Sequence, residues 1–538
     1  MSYSSTASDW DGSDRISEEP HLIGLSYRTL HRRHVADSTQ HLDCSSPISH
    51  LPDELLLDIF ILALAASSHK GYIRDIVSLQ LASKRWSRIV LGTPSLWGRI
   101  SSSNSDRERS VAVLRSKESP LWVDYNDNDF DNDEDRSRFI NYAIRNAYRW
   151  QLVKFVAARA NTLALLRDFA PLSVPLLEEL TIWRPGADGG PSEGESIDIF
   201  GGTAGRLRHV SLIYFPILWS SQIFSRLETL KINGTAASLS GIFANDITDA
   251  LRRCPNLRTL EVGYSRGRWA NISDVKPLEV EIVHLPFLTS FTLAIGNAPA
   301  LSWIIATIRI PACTQLCLMC NDPTRNIFSH HLIAILSSAI RSLVKIELRL
   351  SASSLVLSGW SNLAERVIDI TLNHMSPCED LASLIAHTTG SVQWPPTDAY
   401  ISCEDSLPFN QVAGILRNVS SITELALIGN SDQYIILLSH PTHNDGIYEW
   451  VLPNLEKLAL LHCPQNSLQI LTDLSRKRRG GTEMDRGDGA QLGLRKKLET
   501  IDVRMRDSWG RAQIGPFFTA LRELKGDTWD GHRFSRSL

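Results

Sequence analysis

Hydrophobic residues recur at helical spacing in a short segment near the start of the chain. The segment 50–68 reads HLPDELLLDIFILALAASS, and its apolar positions from Leu55 onward fall on one wide helical face. Pro52 suits the first position of a helix because its missing N–H would have no partner there. Asp53 and Glu54 place negative charge near the positive helix end. The pattern predicts an amphipathic helix beginning at Pro52.

A second apolar segment follows at 76–90, where hydrophobic residues again recur at helical spacing. Lys84, Arg85 and Arg88 supply its polar side, and Pro94 lies just beyond its end. Two or three such helices span only about 50 residues, which is marginal for an independent core unless a partner covers the exposed apolar surface. We therefore expect this part of the chain to dock onto another protein.

Farther along, the hydrophobic pattern changes to the alternation that is typical of strands. In a phrase of the form L-x-x-L-x-L, the last two apolar residues point inward and their neighbours point outward. The phrase recurs as LEELTI (177–182), LRHVSL (207–212), LETLKI (227–232), LRTLEV (257–262), LTSFTL (288–293), CTQLCL (313–318), LVKIEL (343–348), VIDITL (367–372), ITELAL (422–427), LEKLAL (455–460) and LETIDV (498–503). Intervening segments such as 329–342 have helical spacing, so the pattern predicts an α/β fold.

These phrases resemble the strand signature of leucine-rich repeats. Most neighbouring copies lie roughly 20–35 residues apart, within or slightly beyond the usual range of such repeats. The resemblance implies an irregular solenoid with a strand and a helix in each repeat. It is weakest over 375–420.

The first two segments together resemble an F-box. The pattern opens with Leu-Pro, continues through a Glu-Leu-Leu helix and an Ile-Phe pair, and ends with a Trp-containing helix and a Leu-Trp pair. The matching positions are Leu51, Pro52, Glu54, Leu55, Leu56, Ile59, Phe60, Leu79, Trp86, Ile89, Leu96 and Trp97. The chain departs from the pattern in its longer connection ASSHKGYIRD and at Ala82–Ser83, where a cysteine is often found.

The F-box resemblance implies binding to a Skp-type adaptor, and through it to a cullin-based ubiquitin ligase. It further implies that Leu51, Pro52, Leu55 and Ile59 lie at the adaptor interface, while Trp86 holds the F-box helices together. The chain would then be a non-enzymatic substrate receptor. The alternatives are a helical hairpin that packs only on its own C-terminal domain, a leucine-rich-repeat scaffold with no role in ubiquitination, and a hydrolase built around Ser265.

The predicted organisation has five parts. Residues 1–47 are polar and serine-rich, so they are expected to be a disordered tail. The remaining parts are an F-box at 48–100, an acidic linker and the start of the repeat domain at 101–148, the repeat domain at 149–530, and a tail at 531–538.

Composition limits the classes of partner. The chain has 538 residues and a net charge of −4, so no global field directs it to nucleic acid or to a membrane. Its eight cysteines are scattered, which favours reduced thiols in the cytosol or nucleus. Neither a signal peptide nor a run of some 20 apolar residues is visible, so we expect a soluble protein located in the cytoplasm, the nucleus or both.

Two motifs invite a reading as catalytic or metal-binding sites. The segment GYSRG (263–267) follows a strand pattern and matches a nucleophile elbow around Ser265, but the polar, proline-ended sequence after it does not predict the required helix. Cys313, Cys317 and Cys320 cluster without a second cysteine pair at ligand spacing, so buried structural thiols are favoured over a metal site.

Three other segments are also more simply explained as polar structure. The run His31, His34, His41 and Cys44 lies in the polar tail and does not have finger spacing. Residues 124–138 lack the glycine and glutamate of a calcium loop, which favours a solvated acidic loop. The basic run 476–479 fits either a nuclear-localisation signal or an exposed loop tip. We predict no catalytic residue, no cofactor and no metal site.

The outward residues of the repeat strands are the predicted target-binding positions. The leading candidates are Glu178, Arg208, Glu228, Lys231, Arg258 and Glu261. Their mixed charge favours a protein or peptide ligand, because nucleic acid would require a basic stripe. The identity of the target does not follow from these residues.

Overall fold

The chain forms two compact units, residues 1–93 and 94–538, in a computed structural model. The residues that the structure describes are 47–66, 71–158, 166–167, 169–185, 197–202, 204–215, 218–235, 244–265, 282–295, 298–320, 343–350, 354–362, 365–373, 398–403, 416, 422–428, 432–440, 442–444, 447–463, 470–471, 473–474 and 500–505. The predicted tails 1–47 (except Pro47) and 531–538, and nearly all of the weak stretch 375–420, lie outside these ranges. The basic run 476–479, the predicted helix 329–342 and the tail run from His31 to Cys44 also lie outside them.

In its described residues, the first unit contains a short 3-10 turn at Pro47–His50 and three helices. They are α1 (Asp53–Ala65), α2 (Tyr72–Ala82) and α3 (Lys84–Gly92). Helix α1 begins directly after Pro52, as predicted. Its buried residues are Leu56, Phe60 and Leu64, which lie four residues apart and therefore on one face.

The predicted single element 76–90 is in fact divided between α2 and α3. Ser83 has extended backbone dihedrals (φ −158°, ψ 162°), and its side chain accepts a hydrogen bond from the backbone N–H of Trp86 at 3.1 Å. A serine in this position caps the next helix, so the hydrophobic spacing continues while the helix stops and restarts.

The second unit is dominated by strands. Its helices are α4 (Asp106–Ser116), α5 (Asp133–Arg145), α6 (Ala244–Arg252), α7 (Ala298–Thr307) and α8 (Asp432–Ser439). Its strands are β1 (Arg99–Ser101), β2 (Leu121–Asn126), β3 (Trp150–Val156), β4 (Glu179–Trp183), β5 (His209–Ile213), β6 (Thr229–Thr235), β7 (Thr259–Ser265), β8 (Val283–His284), β9 (Ser290–Ala294), β10 (Ile308–Arg309), β11 (Gln315–Cys320), β12 (Lys345–Leu350), β13 (Ser354–Trp360), β14 (Arg366–Asn373), β15 (Asp398–Cys403), β16 (Glu424–Ile428), β17 (Thr442–Asn444), β18 (Ile447–Glu449), β19 (Lys457–Cys463) and β20 (Thr500–Met505).

Sixteen of these described strands form one large, mostly parallel sheet. Its order is β1-β2-β3-β4-β5-β6-β7-β9-β11-β14-β13-β12-β15-β16-β19-β20. The strands follow the order of the chain except at β12, β13 and β14, where a meander runs back along the sheet. Strand β13 is antiparallel to both of its neighbours, whereas the other pairs in this sheet are parallel. Two small sheets pair β8 with β10 and β17 with β18.

All eleven L-x-x-L-x-L phrases form strands of the large sheet, as the alternation predicted. In LEELTI, Leu177, Leu180 and Ile182 are buried, while the residues between them are half-buried on the outer side. The same alternation holds for the other phrases wherever the side chains are described, with three exceptions: the outward positions Ile368 and Ala426 are buried, and Cys313 at the start of its phrase is half-buried. The core of this unit is therefore a continuous layer of aliphatic side chains on the inner face of the sheet.

Residues 101–148 form ordered helices and a strand. Helix α4 begins with a capping box, in which Ser105 and Glu108 satisfy each other's backbone N–H groups. The prediction of a solvated acidic loop at 124–138 was wrong, because this segment contains the end of β2, a 3-10 turn and the start of α5. Its aromatic residues Tyr125 and Phe130 are buried, and Asp127 is buried beside them, accepting a hydrogen bond from the Tyr125 hydroxyl. The many acidic residues of this segment made the buried positions of Tyr125 and Phe130 hard to recognise in the sequence.

Candidate functional site

Helix α1 carries a second apolar stripe that the described residues of its own unit leave exposed. Leu55, Ile59 and Leu62 are 49%, 40% and 71% exposed. They are spaced four and three residues apart, so they lie on one face, offset from the buried face of Leu56 and Phe60. Aliphatic side chains offer no group for proton transfer or nucleophilic attack, but together they offer apolar area to a binding partner.

The start of α1 is held by a residue of α3. Arg85 Nε donates to Asp53 Oδ1 at 2.7 Å, and Arg85 Nη2 donates to the Leu51 carbonyl at 2.5 Å. The next residue, Trp86, packs on Phe60 with ring centroids 4.8 Å apart and ring planes at 60°. Two neighbouring residues of α3 therefore fix α1 at its beginning and at its middle.

The F-box positions fall into three groups by exposure. The exposed ones are Pro52, Glu54, Leu55 and Ile59; the half-buried ones are Leu51, Leu79 and Trp86; the buried ones are Leu56, Phe60, Ile89, Leu96 and Trp97. This distribution is compatible with a docking role for the exposed group and a packing role for Trp86 and the buried group. Because Trp86 is only half-buried, removing it should cost less than removing a fully buried tryptophan.

The last two positions of the pattern lie in the second compact unit. Trp97 is completely buried, and the guanidinium of Arg115 on α4 lies 4.4 Å from the centre of its ring. Desolvation by burial lowers the pKa of Arg115 from its ordinary value. Arginine nevertheless keeps its proton in proteins at neutral pH. The charged guanidinium can therefore make a cation–π contact with the indole, and this pair is structural.

Four of the six predicted target-facing residues form a row just before strands β4 to β7. Successive backbone hydrogen bonds of 2.8–2.9 Å join Arg208 to Glu178, Glu228 to Arg208, and Arg258 to Glu228. The charges in this row alternate in sign, and Arg208 Nη1 donates to Glu228 Oε1 at 2.8 Å. Their side chains are exposed or half-buried.

A second pair lies farther along the same outer face. Lys231 Nζ is 3.4 Å from Glu261 Oε2, and Asn233 Nδ2 donates to Glu261 Oε1 at 3.2 Å. The outer face thus carries both signs of charge in close pairs. Such a surface suits a polar protein partner better than a polyanion.

Several exposed apolar residues of the outer face were not among the predicted site residues. They are Trp122 on β2, Trp183 on β4 and Met319 on β11. The signal that could have identified Trp183 and Met319 is their alternation with buried residues of a recognised strand phrase. Arg85 had no comparable signal, because its partners lie more than 30 residues away.

The cysteine cluster is not a uniform group of buried thiols. Cys320 is buried, whereas Cys313 and Cys317 are half-buried, so the burial prediction was right only for Cys320. Desolvation raises the pKa of Cys313 to about 11, which keeps this thiol protonated at neutral pH. Within the described ranges, no group of three or more His, Cys, Asp or Glu residues is placed to hold a metal ion.

The strand required for the nucleophile elbow at Ser265 is present, since Ser265 is the last residue of β7. The helix that would have to follow falls in 266–281, outside the described residues.

Among the helices of the described ranges, none has the length and apolar character that a membrane span requires.

Comparison with known protein families identifies the N-terminal region. Residues 48–103 match the F-box-like family, a range that contains the three helices of the first unit and continues through Trp97. This match supports an F-box protein with a role in adaptor binding, and F-box domains typically bind Skp-type adaptors. A comparison with curated proteins found no match to the chain.

Proposed function

We propose that the chain is the substrate-recognition subunit of a cullin-based ubiquitin ligase. In this proposal the F-box binds a Skp-type adaptor, the adaptor binds the cullin, and the outer face of the large sheet binds a protein target. The chain recruits the target and does not catalyse the transfer of ubiquitin. We place the protein in the cytoplasm, the nucleus or both.

The observation that carries this proposal is the uncovered stripe of Leu55, Ile59 and Leu62 within the F-box-like match. A small unit of three helices buries little apolar surface of its own, so exposing three large aliphatic residues on one face is costly unless a partner covers them. A docked adaptor would remove this surface from water.

We further propose that the second unit is an irregular leucine-rich-repeat solenoid. The recurring strand phrase and the parallel, chain-ordered register from β1 to β11 support this reading. The meander of β12, β13 and β14 interrupts the chain order of the strands. A solenoid presents its outward strand residues as one extended surface, which suits recognition of a protein target.

The proposed binding of the F-box to the adaptor is tested by co-purification of the full chain with a Skp-type adaptor and a cullin. Leu51→Ala with Pro52→Ala removes an apolar contact and loosens the preset start of α1. We expect this double variant to lose the adaptor, because one interface anchor commonly contributes about 2 kcal/mol, or roughly 30-fold in affinity. The matched control is Leu114→Ala, which removes an exposed leucine from a helix of the second unit.

Unchanged adaptor capture by the double variant at near-endogenous expression would contradict the F-box role. The chain would then be better described as an interaction scaffold without a link to ubiquitination.

The target face is tested separately. Arg208→Glu with Lys231→Glu reverses two outward charges, so capture of targets should weaken while adaptor capture persists. Targets are identified by affinity purification and mass spectrometry with cullin neddylation blocked. Simultaneous loss of targets and adaptor would argue against two separate surfaces.

A further inference from the structure

Helix α1 begins without a side chain that caps it. Its N-cap residue is Pro52, which makes no side-chain hydrogen bond to the first turn. The first N–H groups of a helix have no partners within the helix, and Ser, Thr, Asp or Asn at the N-cap usually satisfies one of them. The first turn of α1 therefore depends on contacts from outside the helix for its position.

Arg85 supplies such contacts from α3. Its planar guanidinium reaches the Asp53 carboxylate, at 2.6 Å from Nη2, and the Leu51 carbonyl with the same nitrogen. One side chain thus holds the residue before Pro52 and the residue after it. A lysine could not reproduce this arrangement, because its single ammonium group lacks the fixed fork of the guanidinium.

The contact of Trp86 with Phe60 lies about two helical turns farther along α1, or roughly 10 Å at 1.5 Å per residue. With only this aromatic contact, the middle of α1 would be fixed while its first turn could fray. With Arg85 in place, both points are fixed on the same short helix. Leu55 lies in the segment between these two points, on the exposed stripe.

We propose that Arg85 is a positioning residue for adaptor binding: it holds the Leu51–Asp53 start of α1 on α3 so that Leu51 and Leu55 are already placed when the adaptor arrives. This inference rests on the proposed adaptor-binding function. It assigns Arg85 an indirect role. If the first turn of α1 is already ordered, adaptor binding does not lose the conformational entropy of ordering it.

The test compares Arg85→Gln with Arg88→Gln in the full-length chain. Both variants remove one positive charge from α3, and Arg88 is exposed on that helix. The dissociation constant for a purified Skp-type adaptor is measured at low and high salt. Hydrogen exchange is followed at the amides of Leu56 and Leu57, which belong to the start of α1, and at Ile89 in α3.

We expect Arg85→Gln to weaken adaptor affinity about tenfold, or roughly 1.4 kcal/mol, and to speed exchange at Leu56 and Leu57 but not at Ile89. Arg88→Gln should change neither quantity by more than about twofold, a difference near 0.4 kcal/mol. Arg85→Lys should restore affinity only in part. High salt should reduce the difference in adaptor affinity between wild type and Arg85→Gln, because the ion pair of Arg85 with Asp53 is partly exposed and salt screens it.

Three results would overturn the proposal. Faster exchange with unchanged affinity would make Arg85 a purely structural residue. Weaker affinity with unchanged exchange would indicate that Arg85 contacts the adaptor directly. Equal loss in Arg85→Gln and Arg88→Gln would indicate a general charge effect. Failure of the wild-type chain to bind any adaptor would instead refute the proposed function itself.

Discussion

Leu55 and Leu56 are adjacent leucines in one helix, and replacing each by alanine should affect different properties of the protein. Leu56 is completely buried, whereas Leu55 is 49% exposed on the stripe assigned to the adaptor. We predict that Leu56→Ala unfolds or loosens the three-helix unit. Leu55→Ala should instead leave that unit folded and weaken adaptor binding.

The magnitudes follow from burial. Leu→Ala at a fully buried site costs about 2–5 kcal/mol, a large fraction of the stability of so small a unit. Burying a whole leucine side chain contributes about 1.5–3 kcal/mol, so the exposed half of Leu55 has roughly 0.7–1.5 kcal/mol left to gain from docking. Lost packing against the partner raises the expected cost to about 1–2 kcal/mol, or roughly 5- to 30-fold in affinity. The stability cost of Leu55→Ala should be about 1 kcal/mol, partly offset because alanine favours the helix.

The assay measures two quantities on the full-length chain. Adaptor affinity is obtained from binding isotherms, and the integrity of the first unit from hydrogen exchange at Ile76 in α2 and Ile89 in α3, both of which are buried. Leu55→Ala should weaken adaptor affinity and speed hydrogen exchange by at most about fivefold, the equivalent of about 1 kcal/mol. Leu56→Ala should speed hydrogen exchange far more, because its cost is about 2–5 kcal/mol. An adaptor affinity for Leu55→Ala within about twofold of wild type, a difference near 0.4 kcal/mol, would refute the assignment of the exposed stripe.

Three further predictions concern the second unit. Gly263→Ala should lower stability by about 1–3 kcal/mol, because the added Cβ would lie 1.9 Å from Asn233 Oδ1, and Asn233→Ala in the same chain should restore part of the loss in a thermal melt. Burial raises the pKa of Cys254 to about 12 from an ordinary value of 9.0. The protonated thiol should therefore contribute fully to the free energy of unfolding below about pH 9, and this contribution should disappear as pH rises towards 12. Iodoacetamide at pH 9 should spare this thiol in the native protein and modify it after denaturation. Trp97→Ala should cost about 3–5 kcal/mol because the ring is fully buried, and hydrogen exchange across β1 and α4 should rise, whereas unchanged exchange there would contradict its packing role.

The strand phrases could be predicted from the sequence because inward and outward positions depend only on local alternation. Strand order could not, since pairing joins distant segments. The meander of β12, β13 and β14 shows this: SLVLSGW in β13 lacks the phrase, and its pairing with β14 is settled by the tertiary structure. The strand, turn and helix within 124–138 were missed because the acidic residues of this segment outnumber its buried apolar residues, Tyr125 and Phe130.

The candidate site was predictable as a helix but not as a face. Helix α1 has apolar residues at Leu55, Leu56, Ile59 and Phe60, so its hydrophobic spacing alone does not separate the core side from the docking side. That separation comes from the packing of α2 and α3. The F-box resemblance supplied the expected interface positions, whereas the contact of Arg85 with Asp53 could be found only in the folded structure.

The two proposed binding faces differ in how they would produce affinity. The stripe on α1 is aliphatic, so docking there gains free energy directly from the removal of apolar area from water. On the outer face of the sheet, Arg208 is already paired with Glu228 and Lys231 with Glu261, so a target must replace these contacts to use the charges. Such an exchange contributes little net affinity but penalises a partner whose charges do not match. The adaptor would therefore be held mainly by burial, and the target would be selected mainly by the pattern of charge.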